Sequence, residues 1–353
     1  MDWIVSRVDG SRYRQEILEL RKAVFSRENP EKQNPEYWDW EFKNAFFGPA
    51  EIYAARHGDR LVGHYALLPQ RYRIDGHSCT AGLAVDAMVH PGQRRKGMFS
   101  VLQEQAIGST GFTFAMGYTI RKEVLPAELK GGYQIVRNVP VFVFPARFSA
   151  ILNRYIKPGS WLDAAASLGG RFHRARFPEP SSDGRIVFRQ VDSLADVLGD
   201  FFKPQDKSSG ICLEKSAEYI RWRFDRIPGV VYQKIVAMNQ SGSPAGYLVM
   251  RRENLFGLDT LAVVDLETVE GNSETTDALV RFVVSRTREL GCDCSAVFLL
   301  DDGQTTRRFK KRGFIKSPYR FHLIVHNCGR GDTAERFRRS KGIYLNWSDT
   351  DML

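Results

Sequence analysis

The segment His90 to Leu102, HPGQRRKGMFSVL, holds the residues best suited to chemistry. It lies between an apolar strand and an amphipathic helix, so its backbone N–H groups sit at a helix N-terminus, where they and the helix dipole favour anions. Gly97 lets the backbone approach a ligand closely; Arg94, Arg95 and Lys96 add positive charge, and Ser100 adds a hydroxyl. A loop of this kind is suited to hold phosphate oxygens. Its glycine spacing matches neither a dinucleotide fingerprint nor a Walker loop. Just upstream, Asp86 interrupts the apolar strand LAVDAMV, and an acid in a buried strand usually has a reason. Alternation puts Asp86 and Met88 on one face of that strand, opposite Ala87 and Val89.

The elements that must position this loop occur twice. NPEYWDWEF (Asn34 to Phe42) reappears as SAEYIRWRF (Ser216 to Phe224), LVGHYAL from Leu61 as PAGYLVM from Pro244, and LAVDAMV from Leu83 as LAVVDLE from Leu261. Lys130-Gly131-Gly132-Tyr133 faces Lys311-Arg312-Gly313-Phe314, and all four matches keep their order at an offset of 178 to 183 positions. The pattern predicts a duplicated domain. Each copy reads as a short strand and an amphipathic helix, a helix carrying the Trp-rich repeat, a run of strands, and a β–α–β–α–β ending. In the first copy the strands are expected at Ile52 to Arg56, Arg60 to Pro69, Arg71 to Ile74, Leu83 to His90, Phe112 to Met116 and Val136 to Phe144, with a hairpin turn at Asp75-Gly76. The expected fold class is α+β: two tandem mixed sheets flanked by helices. The expected domains are 1–146, a connector 147–185 that is helical from Pro145 to Gly170 and ends in the linker Pro178 to Gly184, and 186–353 with a C-terminal tail.

At 353 residues, with 43% hydrophobic and 26% charged residues, the chain can bury two cores. The N-terminus lacks the apolar stretch of a secretory signal, and no apolar run reaches membrane-spanning length. Five cysteines without scaffold or zinc-knuckle spacing read as reduced thiols, and no metal site is expected, which together imply a cytoplasmic protein. The net charge of +10 favours an anionic partner. No nucleic-acid motif accompanies it, and the clusters Arg307–Arg312 and Arg336–Lys341 read as solvated faces.

The phosphate loop resembles the acyl-coenzyme A loop of the GNAT superfamily, Arg/Gln-x-x-Gly-x-Gly/Ala after strand–Val–x–Pro. Arg94 takes the first position, Gly97 the central glycine and Val89-His90-Pro91 the strand exit, while Phe99 replaces the final small residue. The Lys-x-Gly-aromatic signature of the family's last helix matches Lys130 to Tyr133. The resemblance covers about 1–145, with 186–327 as a degenerate second copy. It implies that Met88 and Val89 pair with the pantetheine arm, that Arg94, Arg95, Lys96, Gly97, Met98, Phe99 and Ser100 hold the pyrophosphate, and that the splay before the next strand receives the thioester of acetyl-coenzyme A. The second copy has an acidic loop, ETVEGNSETTDAL from Glu267, where like charges repel a pyrophosphate.

In the family an amine attacks the thioester directly, so a base and an acid for the departing thiolate are sought. Asp86 is the sharpest base candidate, set against a carboxylate that only binds a loop or the substrate. His64 is the other, set against a satisfied core histidine. The slot of the family's acidic tyrosine holds Glu128, and the preceding asparagine slot holds Arg121; Tyr118 is the substitute acid, or else a core tyrosine. His90 reads as structural and the tryptophans as packing. Arg121, Glu123, Arg221 and Arg223 are candidates for binding the substrate. Among duplicated GNAT chains, the sequence resembles N-acetyltransferases of nucleotide-linked (dTDP or UDP) 3- or 4-amino sugars, acting as monomers or homodimers. Aminoglycoside or polyamine acetylation, tRNA-dependent aminoacyl transfer and a non-enzymatic binding role are the alternatives.

Overall fold

The computed structural model describes residues 3–25, 30–155, 169–170, 173, 176–177, 185–202, 210–269, 272–301, 303–329, 331–340 and 342–352. The linker expected at Pro178 to Gly184 and most of the connector helix lie outside these residues; the described part of that helix is α5 (Phe148–Tyr155). The first half runs β1 (Ile4–Val8), α1 (Gly10–Phe25), α2 (Pro35–Trp38), β2 (Glu51–His57), β3 (Arg60–Ile74), β4 (His77–Val89), α3 (Met98–Ser109), β5 (Phe114–Thr119), α4 (Leu125–Lys130) and β6 (Gln134–Pro145). The second half follows with β7 (Val187–Gln190), α6 (Leu194–Leu198), β8 (Ile211–Leu213), α7 (Ala217–Ile220), β9 (Gln233–Met238), β10 (Pro244–Leu255), β11 (Leu258–Thr268), α8 (Ser273–Glu289), β12 (Cys294–Phe298), α9 (Gln304–Lys311), β13 (Ile315–Asn327) and α10 (Thr333–Arg339).

The strands do not make two sheets. They form one, in the order β1-β2-β3-β4-β5-β13-β6-β12-β11-β10-β9-β7, with β8 alongside β3. This order has the same architecture from either edge, and the last strand of each half has crossed to the other. β13 pairs with β5 from His322↔Thr119 to Asn327↔Phe114, and β6 pairs with β12 from Cys294↔Pro145 to Phe298↔Val141. The sheet runs unbroken across the boundary expected at 146. The exchange also joins the cores: Phe142 and Phe144 of β6 pack with Leu279 and Val283 of α8, while Ile324 of β13 packs with Met98 and Leu102 of α3. Each such buried side chain contributes about 1.5–3 kcal/mol.

The strands expected separately at Arg60 to Pro69 and Arg71 to Ile74 are one, β3. Pro69 cannot donate to a ladder. It falls where β3 has left β2, whose last partner is Leu67, and not yet met β8, whose first is Tyr72. The turn at Asp75 (φ 49°) and Gly76 (φ 83°) has both central residues left-handed, as a tight hairpin requires.

The Trp-rich repeat folds the same way twice. Asn34 caps α2, which continues as a π turn over Asp39–Lys43; Ser216 caps α7, which continues as a π turn over Arg221–Asp225. The two copies then pack on each other. Trp40 and Trp222 stack at 4.5 Å, Trp40 donates from Nε1 to the carbonyl of Trp222, and Trp222 donates to that of Asn44.

Candidate active site

β4 and β5 run parallel and pair only from Ala81↔Phe114 to Leu83↔Met116. Beyond that the strands part: β4 stays on β3 as far as Val89, while β5 is held on its other edge by β13. The loop after β4 lies at the mouth of this opening. His90 closes its first turn, Nδ1 accepting from the Gly92 amide at 3.2 Å, and Arg94 donates from Nε to the carbonyl of Val89 at 3.3 Å. His90 is thus a capping residue. Arg95 (φ 61°) and Gly97 (φ 82°) are both left-handed, a geometry that turns successive amides toward a common point. Met98, Phe99 and Ser100 begin α3, so their N–H groups have no intrahelical acceptor. A Cβ on Gly97 would meet nothing within 4 Å, so the space in front of the cradle is open. Arg94, Arg95 and Lys96 are largely exposed around it, Lys96 donating to Gln93. These residues fit a pyrophosphate.

β4 bulges just before the loop. His64 pairs with Met88 but Ala66 with Val85, so Asp86 and Ala87 together oppose Tyr65, and Asp86 takes φ 46°. The bulge breaks simple alternation: Val85 and Met88 share the core on the α1 side, and Asp86 reaches Arg21 of α1 on that same side. Asp86 is buried in an ion pair with Arg21. Burial pushes its carboxyl up, but Arg21 and then Lys32 outweigh this and hold it below the ordinary carboxylate range. His64 is fully buried, and its Nδ1 bonds the Asp86 carbonyl at 2.7 Å, so that nitrogen carries the proton. Burial lowers its pKa despite this bond. The structure therefore brings Asp86 and His64 together, as the two clamps on one bulge.

The second half repeats this arrangement without a phosphate loop. β11 carries an extra residue between Val263 and Asp265, and Asp265 is buried 2.8 Å from Lys215. An acid held by a cation beside a bulge thus recurs before a loop whose sequence is acidic and lacks the Arg-x-x-Gly spacing.

Tyr118 lies at the end of β5 against Phe298, its buried Oη without a hydrogen-bond partner among the described residues; burial, then the Asp349 carboxylate, push its pKa up. Glu128 of α4 stands opposite the same strand end. Thr119 donates from Oγ1 to both its carboxyl oxygens, at 2.8 and 2.7 Å. Burial raises the Glu128 pKa, and the Thr119 hydroxyl only partly offsets this. Glu123 is exposed in the loop before α4, and Arg121 lies over the ring of Phe25. Arg221 is bound to Asp196 at 2.8 Å; buried Arg223 donates to Tyr232 Oη and the Ser348 carbonyl.

One further feature near these residues was not identified in the sequence. On the α1 side of β3 and β4, a shallow open cleft runs between the two Trp-rich repeats. Its walls include Trp40, Phe46 and Phe47 from the first repeat and Tyr219 and Trp222 from the second, and its floor reaches Leu83 of β4. Glu41, Arg223 and Asp351 supply its charges. Lys32, buried behind it, pairs with Glu41 at 3.1 Å and with Asp351 at 3.3 Å. Burial, the largest influence, raises the Glu41 carboxyl to about 7 against the pull of Lys32, with Asp86 and Asp351 adding to the rise. The signal was in the repeat: its matched position is Glu41 in one copy and Arg223 in the other.

Among the described residues, no helix is long and apolar enough to cross a membrane. Residues 9–119 match the family model for the acetyltransferase (GNAT) domain. No curated protein matches the sequence. Solved structures resemble nearly the whole chain. A GCN5-related N-acetyltransferase from Anabaena variabilis is 11% identical with a TM-score of 0.64, covering 93% of this chain and 73% of its own. N-myristoyltransferase of Saccharomyces cerevisiae with bound myristoyl-CoA is 11% identical with a TM-score of 0.60, over 92% and 78%. A GCN5-related N-acetyltransferase from Kribbella flavida is 14% identical with a TM-score of 0.56, over 92% and 70%. The loop, the parting strands and the bulge thus lie within the residues that match the acetyltransferase (GNAT) domain model, in a chain whose fold is similar to those of solved N-acyltransferases.

Proposed function

We propose that the protein transfers an acyl group, acetyl in the simplest case, from acyl-coenzyme A to the amine of a small molecule. The observation that carries this reading is the open cradle at Gly97, lying at the mouth of the parted β4 and β5 strands. Amides from Arg95 to Ser100 would hold the pyrophosphate, with Arg94, Arg95 and Lys96 around it. The backbone of Met88 and Val89, beyond the last β5 pairing, would pair with the pantetheine arm. The bound thioester supplies an activated acyl carbon. We assign Glu128 the proton for the departing sulfur, because it stands at the end of β5 with Thr119 fixing its orientation and burial shifts its carboxyl toward the protonated form. Asp86 and His64 hold the bulge that sets the strand opening, rather than take a proton from the amine.

The chain is further read as a duplicated GNAT domain with exchanged last strands, supported by the strand order and the twice-folded Trp repeat. A nucleotide-linked amino sugar as acceptor draws on the net charge of +10. Arginines of the second half that could meet its pyrophosphate have other partners: Arg221 has Asp196, Arg251 has Glu31 and Glu253, and Arg252 has Asp259. Calorimetry with acetyl-coenzyme A tests the donor site. Gly97→Asp places a carboxylate at the cradle and a side chain on a left-handed residue, and binding should be lost; unchanged affinity would refute the assignment. A series of acyl chain lengths in a thiol-release assay tests the acetyl preference.

A further inference from the structure

Three carboxylates, Glu41, Asp86 and Asp351, gather around two cations, Arg21 and Lys32, behind the cleft between the Trp-rich repeats. Across the cleft, Lys215 is matched by Asp265 and Asp349, and Arg223 is bonded to Tyr232 and a backbone carbonyl. Taken together these are five carboxylates against four cations, and Glu41 itself lines the cleft. The neighbouring walls are aromatic, with Trp40 stacked on Trp222 and Phe47 on Tyr219. Those ring faces cover one another, with Arg223 over Trp40 and Arg71 over Phe47, so the rings offer the cleft an apolar wall suited to an apolar body.

We infer that this cleft is the acceptor site, that it takes a primary ammonium carried on an aromatic or apolar body, and that Glu41 receives the proton the ammonium must lose. The inference rests on the acyl-transfer reading above and names the acceptor for it. Because the cleft floor reaches β4 at Leu83, where β4 and β5 begin to part, an amine seated there is on the path to the strand opening. The ammonium gives one proton to Glu41. The freed nitrogen attacks the thioester carbon, a C–N bond forms and the C–S bond breaks. The nitrogen sheds its second proton to solvent, and the departing thiolate takes one from Glu128, so one proton is released overall. The raised pKa of Glu41 suits a base working near neutrality. An anionic group on the acceptor would face two carboxylates, Glu41 and Asp351, against one guanidinium, Arg223, and be disfavoured.

Phenethylamine, an aliphatic diamine and a nucleotide-linked amino sugar serve as probes, titrated calorimetrically into the full chain with and without coenzyme A. Phenethylamine should bind best, and Glu41→Gln should weaken it at least tenfold while coenzyme A affinity stays within twofold. Phe47→Ala, which leaves the buried charges intact, should also weaken it, so the idea is testable even where Glu41→Gln misfolds. In thiol release, the acidic limb of the wild-type kcat/KM profile should vanish in Glu41→Gln. Amine binding unaffected by both variants, or preference for the nucleotide-linked sugar, overturns the inference while leaving the donor site standing. Loss of coenzyme A binding by the wild type would instead remove the donor reading beneath it.

Discussion

Replacing Asp86 with asparagine separates a clamp from a base. The substitution keeps the shape but leaves the Arg21 guanidinium buried without its charged partner. Removing one member of a buried ion pair destabilises by about 3–5 kcal/mol. The introduced amide can still accept one hydrogen bond, and Glu41 and Asp351 still attract Arg21, so the lower end, about 3 kcal/mol, is expected. That is about two orders of magnitude in the folding equilibrium. Guanidinium denaturation followed by fluorescence should show it, and Asp265→Asn should lose a similar amount through Lys215 in the half without a phosphate loop. The double change Arg21→Met with Asp86→Leu should recover most of the loss, since a buried pair is worth little more than well-packed apolar residues. For folded Asp86→Asn, kcat/KM should stay within about tenfold of wild type. Full stability combined with a loss of about 10²-fold or more and the disappearance of an ionisation from the pH profile would refute this reasoning and make Asp86 the base.

Glu128→Gln removes the proton held near sulfur and should lower kcat by about 10–10²-fold with little change in coenzyme A affinity; Thr119→Val, which frees the carboxyl, should lower it less. Equal losses in kcat and in coenzyme A binding would argue against an acid role. Glu41 predicts opposite pH trends for activity and stability. Its pKa is raised from 4.5 to about 7 in the fold, so the stability it contributes is fully present below about pH 4.5 and is lost as pH rises through 7, whereas activity needs the ionised form and should rise over the same range. Parallel trends in the two measurements would contradict the assignment. The strand exchange predicts that residues 1–146 alone aggregate or refold, because β5 loses its β13 partner and Phe142 and Phe144 lose the α8 core. A well-dispersed monomer with wild-type coenzyme A affinity would show that β13 is dispensable.

The phosphate loop and most elements were legible in sequence because each rests on local chemistry. The left-handed Gly97, the helix that starts beside it and the Asp75-Gly76 turn all follow from residues within a few positions of one another. The repeat was legible for a similar reason, since both copies set the same cap and the same π turn with the same residue types. Strand exchange was not legible. β6 and β13 are both apolar strands, and alternation says which face a residue takes but not which neighbour the strand chooses. Asp86 was visible as an oddity; its meaning depended on Arg21, 65 positions away, which only packing of α1 on β4 brings into contact. The cleft between the Trp-rich repeats depended still more on tertiary structure. Its walls come from Trp40, Trp222 and the tail at Asp351, and its charge from a carboxylate that shares Lys32 with that tail. Local sequence set the loop after β4, whereas long-range packing, through burial and pairing, decided which cation each buried carboxylate meets.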